Sequence, residues 1–411
     1  MRRVWLVVLI ALVTSACGLF SRPTPTPVPV EIRFAYYARE LTPHYERLKV
    51  GFEQTNPHLS IKLLAMNPYE MLFRGPGSAD VVEINQLAVA SLAAQGTLRP
   101  LDPVVREAEG VDLEAFYPGT VDALRWEGQL WALPLGVDPA LLYYNKAIFE
   151  AKGVPYPTND WTWGDLLEAA LRIAEPDADP PLYGLVSDIR RADFLPLLYQ
   201  AGGGIAGNPL EPERAAFSSE ASVAAMQWYV DLALVHRVMP IPQDLTAIGG
   251  MEGAVVSQRA AMWYGGLSER GGFAWSVPWK FEWGVVAQPA GSRRTTILSI
   301  RACAINQQSE HAREAWEWLK YLVEHPPTGY DVPALATVDL GAHLAGGGPE
   351  VVLAVRLSLR DGQALPAIVW RPQFFYSLDR SFRWVFSGDH TVEEAMAELD
   401  RSLNEALSGE Q

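Results

Sequence analysis

Basic clusters and cysteine are the scarcest features of this 411-residue chain. Its formal charge is -15 with no long Lys/Arg run to offset it. That balance argues against nucleic acid, whose binders carry basic patches to neutralise phosphate, and its simplest role is solubility. Only two cysteines occur, Cys17 and Cys303. Seven histidines are scattered, at His44, His58, His236, His311, His325, His343 and His390. With no H-E-x-x-H and no Cys/His group, a zinc site lacks its usual ligands. G-x-S-x-G is missing, which removes the nucleophile elbow. The glycine run Ala201-Gly202-Gly203-Gly204 lacks the G-x-G-x-x-G spacing of a phosphate cradle. No cofactor is implied. The longest apolar run near the start, Trp5 to Val13, is too short to span a bilayer.

What is present begins with that run. Arg2 and Arg3 precede it and Thr14-Ser15-Ala16-Cys17 follows, the layout of a secretory signal peptide over 1–16. Small residues directly before a cysteine resemble a bacterial lipobox, so Cys17 is the expected lipidation site and the expected location is outside the cytoplasm, anchored to the membrane. Residues 22–30, RPTPTPVPV, alternate proline with small residues and read as a stiff polyproline II tether, giving 17–30 as anchor and spacer. That leaves Cys303, within Arg-Ala-Cys-Ala-Ile, as a buried core thiol with no disulfide partner.

Length sets the scale of the rest, because 411 residues exceed one ordinary core and imply two domains. Ile32, Phe34 and Tyr36 alternate as a first strand, Tyr45, Leu48 and Phe52 follow at helical spacing, and strands over 59–65 and 80–84 come next. Alternating strands and helices point to an α/β fold with parallel neighbours. Thr162-Trp163-Gly164-Asp165 and Thr391-Val392-Glu393-Glu394 are capping boxes that open helices. Residues 131–146, WALPLGVDPALLYYNK, are a poor plain core strand, because proline removes ladder donors and glycine weakens packing. They read as a segment passing from one domain to the other, with Asp138 at the crossing.

In order, that segment, the Thr162-Trp163 helix start, GAVVSQRAAMWYGG from Gly253, FEWGVVAQPAG and TILSIRACAIN resemble the extracellular solute-binding proteins of ABC transporters, sugar-type family. The resemblance covers roughly 31–407 and implies a two-lobed, type II periplasmic-binding-protein-like α/β fold. Each lobe is then a sheet flanked by helices, with three hinge crossovers, near Asp138, Ala261 and Ala304. Lobe one is expected at 31–137 plus 262–304, and lobe two at 138–261 plus 305–411, including a helix carrying Ala312, Trp316 and Leu319.

Function follows from the same resemblance: a monomer binding a carbohydrate between its lobes and delivering it to an ABC permease. Family positions imply ligand contacts at Tyr37, Arg39, Glu83, Asn85, Asp138, Arg190, Asp193, Trp263, Tyr264, Trp370, Arg371 and Tyr376. At the turn where relatives often carry a stacking Trp this chain has Gly265-Gly266-Leu267-Ser268, which leaves Trp275 or Trp279 to replace it. Ile297-Leu298-Ser299 likewise stands where relatives often have Gly-Gly-Ser. Polyol phosphates or other polar solutes are the runner-up ligand classes. Two further functions remain open at this level: a secreted glycan-acting enzyme, which would need two carboxyl groups about 5–10 Å apart, and a sensory binding subunit for a membrane kinase.

Overall fold

A computed structural model of the protein describes residues 29–37, 39–107, 111–189, 193–205, 214–272, 278–326, 331–344, 347–365 and 372–409. The chain opens with β1 (Val30–Tyr36), α1 (Thr42–Thr55), β2 (Leu59–Ala65), α2 (Pro68–Phe73) and β3 (Val81–Asn85). β1 pairs in parallel with both β2 and β3, as the strand-helix alternation predicts. Phe34 of β1 meets Tyr45 of α1 edge-on at 5.0 Å, so the helix stripe lands on the strand face that the sequence marks as apolar.

The thirteen-residue β4 (Leu133–Asn145) is the strand that the two halves share. Downstream lie α3 (Trp163–Ile173), β5 (Tyr183–Val186), α4 (Glu220–Leu234), α5 (Pro242–Ala247), β6 (Ala260–Gly266), β7 (Trp283–Val286) and β8 (Ile297–Ile305). The first half of β4, up to Pro139, pairs with β8, and the second half, from Ala140, pairs with β6 and β7. Proline and glycine are accommodated by a bulge: Gly136 faces Arg301 and Pro134 faces Ala302, leaving Leu135 as the extra residue. The strand order among the described residues is β2-β1-β3-β8-β4-β6-β5, with three short strands alongside.

Beyond β8 the elements that matter here are α6 (Ala312–Glu324), β9 (Val332–Pro333), α7 (Gly348–Asp361), β10 (Gln363–Ala364), α8 (Pro372–Ser387) and α9 (Val392–Ser408). Both capping boxes form: Thr162 and Asp165 satisfy each other's backbone amides at the start of α3, and Thr391 and Glu394 do so at α9. α8 and α9 bury Phe374, Leu378, Phe382, Leu399 and Leu403 in one cluster with Leu142, Leu166, Leu185 and Tyr229 of lobe two.

Among the described residues the chain passes between the lobes along β4 and again between β7 and β8, and neither Ala261 nor Ala304 stands at a crossing. β6 pairs wholly with the second half of β4 and with β5, so Ala261 sits inside the lobe-two sheet and is not a crossing. The chain returns to lobe one between β7 and β8. α6 then packs on lobe one, because Trp318 fills the space between Phe34 (6.0 Å) and Phe52 (5.1 Å). β9 also pairs with the lobe-one half of β4. α7 packs against β4 and β7, and β10 after it pairs with the start of β8. The expected assignments of 262–286 to lobe one and of 312–333 to lobe two are therefore corrected by these pairings.

Candidate functional site

Strand direction decides where side chains can converge. β1, β2 and β3 run in parallel, so Tyr37, Met66 and Asn85 stand at one edge of lobe one. β5 and β6 are parallel in lobe two, and Gly266 at the end of β6 pairs with Ala140 just past the β4 crossing. The carboxyl ends of strands from both lobes thus face one level of the molecule, the position where open α/β sheets bind ligands.

Asp138 occupies that level. Its Oδ1 accepts from the Ser268 amide at 3.0 Å and its Oδ2 from the Ser268 hydroxyl at 2.5 Å. The carboxylate lies directly over Gly266, where a Cβ would stand 2.6 Å from Oδ2. On its other side Asp138 pairs with Ser299 in the ladder, and Asn85 donates to the Ser299 hydroxyl at 3.2 Å. A line of polar groups, Asn85, Ser299, Asp138 and Ser268, therefore runs from lobe one to lobe two.

Burial pushes the Asp138 carboxyl up to about 6, with Asp331 and Glu269 adding to the rise and the Ser268 bonds opposing it. A folded pKa above the ordinary 3.8 means that folding favours the protonated acid. Its contribution to stability is present below about pH 4 and is lost as pH rises through about 6. Against Asp138→Asn, which does not titrate, the wild type is expected to lose roughly 2–3 kcal/mol over that window. Thermal melts of both proteins from pH 4 to 7 check this, and parallel curves would show that the carboxyl is not desolvated.

Beneath this line lies a buried charge cluster. Arg301 donates from Nε and Nη2 to the two oxygens of Asp331 at 2.9 and 3.0 Å, and from Nη1 to Glu83 at 3.1 Å and Tyr45 at 3.1 Å. Tyr45 in turn donates to Glu83 at 2.5 Å. Burial and the Glu83 charge hold the Tyr45 hydroxyl well above its ordinary range and raise the Cys303 thiol too. Cys303 is the buried thiol that the sequence suggests.

The expected site residues divide by environment. Asn85 and Asp138 are brought together through Ser299. Tyr37 (71% exposed) and Arg39 are at the lobe-one edge and Tyr376 (69% exposed) is on α8, all open to solvent. Half-buried Asp193 accepts from the Asp188 amide at 3.3 Å, just beyond β5.

Three others face inward. Glu83 is spent on Tyr45 and Arg301. Trp263 has no exposed surface; it stacks on Tyr143 at 5.9 Å and meets Trp279 edge-on at 4.9 Å. Tyr264, its neighbour on the opposite face of β6, is buried against the lobe-two core. In this conformation none of the three presents a face to a ligand: Glu83 of β3 is taken up by Tyr45 and Arg301, and β6, which carries Trp263 and Tyr264, is covered on both sides. Trp279 joins that aromatic cluster and is itself buried. Cys17, Arg190, Trp275, Trp370 and Arg371 lie outside the described residues.

Sequence reasoning missed Arg301 and Asp331. The signal was a lone charged residue, Arg301, inside the largely apolar ILSIRACAI, because a buried cation needs a carboxylate partner. Among the described residues no group of three His, Cys, Asp or Glu side chains is placed to hold a metal, and no helix is long and apolar enough to cross a membrane.

Residues 35–327 match the profile of a family described as bacterial extracellular solute-binding protein. This chain belongs to that family. Among similar solute-binding family members and other relatives, an arabinooligosaccharide-binding protein of Halalkalibacterium halodurans is 22% identical over 316 residues, covering 71% of this chain and 66% of the relative. A mannitol-binding protein of Pseudomonas aeruginosa is 27% identical over 139 residues, 32% of this chain and 31% of the relative. A putative binding protein of Brucella abortus is 26% identical over 140 residues, 32% and 33%. The chain spans about a third of the length of the Brucella and Pseudomonas relatives it matches.

Solved structures agree on the two-lobed fold. An ABC substrate-binding protein from Listeria monocytogenes in complex with cycloalternan has a TM-score of 0.75 at 22% identity, covering 92% of this chain and 99% of its own. The sugar-binding protein MalE of Xanthomonas citri has a TM-score of 0.76 at 19% identity, covering 93% and 98%.

Proposed function

We propose that this solute-binding family member captures a carbohydrate between its lobes and presents it to an ABC permease, held at the outer face of the membrane by a lipid on Cys17. The observation that carries the reading is the polar line from Asn85 to Ser268 at the strand ends of both lobes, with Asp138 at its centre. Hydroxyl-rich ligands need such paired acceptors and donors, and the exposed rings of Tyr37 and Tyr376 supply apolar faces. The arabinooligosaccharide-, mannitol- and cycloalternan-binding relatives support the ligand class. Contacts completed only when the lobes approach each other shift the population toward closure, and a permease reads the closed form.

The test is a thermal-shift screen of the full chain in mild detergent against mannitol, maltose and arabino-oligosaccharides, with product analysis of every hit. A saturable rise in Tm without turnover is expected, since a ligand that prefers the native state stabilises it. Asp138→Ala is expected to weaken the hit about tenfold or more, the size of one charge-assisted hydrogen bond. Turnover at enzyme-like rates would overturn the reading, and unchanged affinity would remove Asp138 from the site.

A further inference from the structure

The strand that carries Asp138 is accessible at one place. Of the thirteen residues of β4 all but Asp138 and Ala140 are buried, and on the neighbouring β8 the residues that keep some surface are Ser299 and Arg301. Gly136 and Asp138 stand two apart and so share a face of the sheet, with Arg301 and Ser299 opposite them in the ladder. The Asp331 carboxylate rests on Gly136. It therefore lies about 7 Å along the strand from Asp138, and Glu83 is bonded to the same Arg301.

Charge on this face does not balance, because the carboxylates of Glu83, Asp138 and Asp331 share the single guanidinium of Arg301. Arg301 spends Nε and Nη2 on Asp331 and Nη1 on Glu83 and Tyr45. Asp138 is left with Ser268, which fills two of about four lone-pair positions on its oxygens. Among the described residues no cation pairs with it, and the charges that act on it, Asp331 and Glu269, are both negative. The Tyr143 hydroxyl, which also faces it, is engaged with the Gly266 carbonyl at 2.8 Å. Burial and like charge therefore favour a proton on Asp138. A ligand ammonium supplies the same missing charge and brings its own hydrogens to donate. The chain as a whole, at a formal -15, draws cations toward its surface and repels anions.

We propose that the carbohydrate taken at Asp138 carries a protonated amine, which pairs with the remaining lone pairs of that carboxylate while Asn85 and Ser299 meet neighbouring ring hydroxyls. The inference rests on the carbohydrate reading above and deepens it: the substrate class is amino sugars, and phosphorylated polyols and uronates are rejected by like charge.

The test is calorimetric titration of the full chain in mild detergent at pH 7 with glucose, glucosamine, N-acetylglucosamine and glucose 6-phosphate, with the matching galactose and mannose sets, and with cellobiose and its diamino counterpart. At that pH the Asp138 carboxyl, at about 6, is ionised, and an amine of the α-amino kind, at about 8, is protonated. In one of the sets the amine is expected to bind at least about tenfold tighter than its hydroxyl parent, the size of one charge-assisted hydrogen bond, and the uncharged N-acetyl form is not. Asp138→Asn keeps the shape and removes the charge, and is expected to bring the amine-to-parent ratio close to one. If that variant does not fold, titration of the wild type at pH 5 is expected to do the same, because the carboxyl takes up a proton while the amine keeps its own. Parent binding with no gain for the amine overturns the amine assignment and leaves the carbohydrate reading standing. So does a gain that survives in folded Asp138→Asn or at pH 5, and so does tighter binding of the phosphate than of its parent. No binding of any of these sugars overturns both.

Discussion

Arg301→Met is expected to destabilise the protein by about 3–5 kcal/mol, the usual cost of removing one partner from a buried ion pair. The Arg301 side chain is 12% exposed, Glu83 6% and Asp331 2%, so solvent cannot replace the guanidinium. It satisfies both oxygens of Asp331 and one of Glu83 while donating to Tyr45, and its loss leaves two carboxylates facing each other in the lobe-one interior. Methionine keeps the stem packing, so the measured loss reports charge rather than volume. Urea unfolding is the readout, with a lower midpoint at unchanged slope. Adding Glu83→Gln and Asp331→Asn in the same background should recover a large part of the loss, because neutral amides cost far less to bury unpaired. A triple variant no more stable than Arg301→Met would show that the cluster is not held by charge.

The features legible in the sequence are the local ones. A capping box needs only four consecutive residues, so Thr162 with Asp165 and Thr391 with Glu394 could be read directly, and both form. Strands β1, β2 and β3 follow from alternation over a few residues, and the family profile follows from motif order. What escaped is non-local. The stripe Ala315, Trp316, Leu319 and Leu322 says that α6 buries a face, yet only Trp318 lodged between Phe34 and Phe52 says which lobe receives it. The same holds for Trp263: AAMWYGG marks a strand, but burial of its Trp263 face depends on Trp279 and Phe281 folding back over it. Asp138 could be placed at a crossing from proline and glycine spacing alone. Its clamp on Ser268, 130 residues away, could not.

Gly136→Ala is expected to cost at least as much as the loss of Arg301's charge, about 3–5 kcal/mol, although it adds one methyl group. A Cβ there would stand 2.0 Å from Oδ2 of Asp331 and 2.3 Å from its Cγ, so something must move. Asp331 cannot turn aside without giving up both Arg301 bonds. β4 cannot shift either, since Gly136 is paired with Arg301 on one side and Pro333 on the other. The methyl therefore breaks either the ion pair or the ladder. Because Asp138 is two residues along the same strand, displacement of β4 should also loosen its bonds to Ser268, so any carbohydrate affinity should fall together with Tm. Parallel melts and titrations of Gly136→Ala and of Gly75→Ala provide the check. At Gly75 nothing lies within 4 Å of an added Cβ and only a φ of +95° is strained, so the loss should stay near 1 kcal/mol with affinity unchanged. Equal losses at the two positions would mean that Asp331 does not rest on Gly136, and that the height of Asp138 at the crossing is set by something other than the Arg301 cluster.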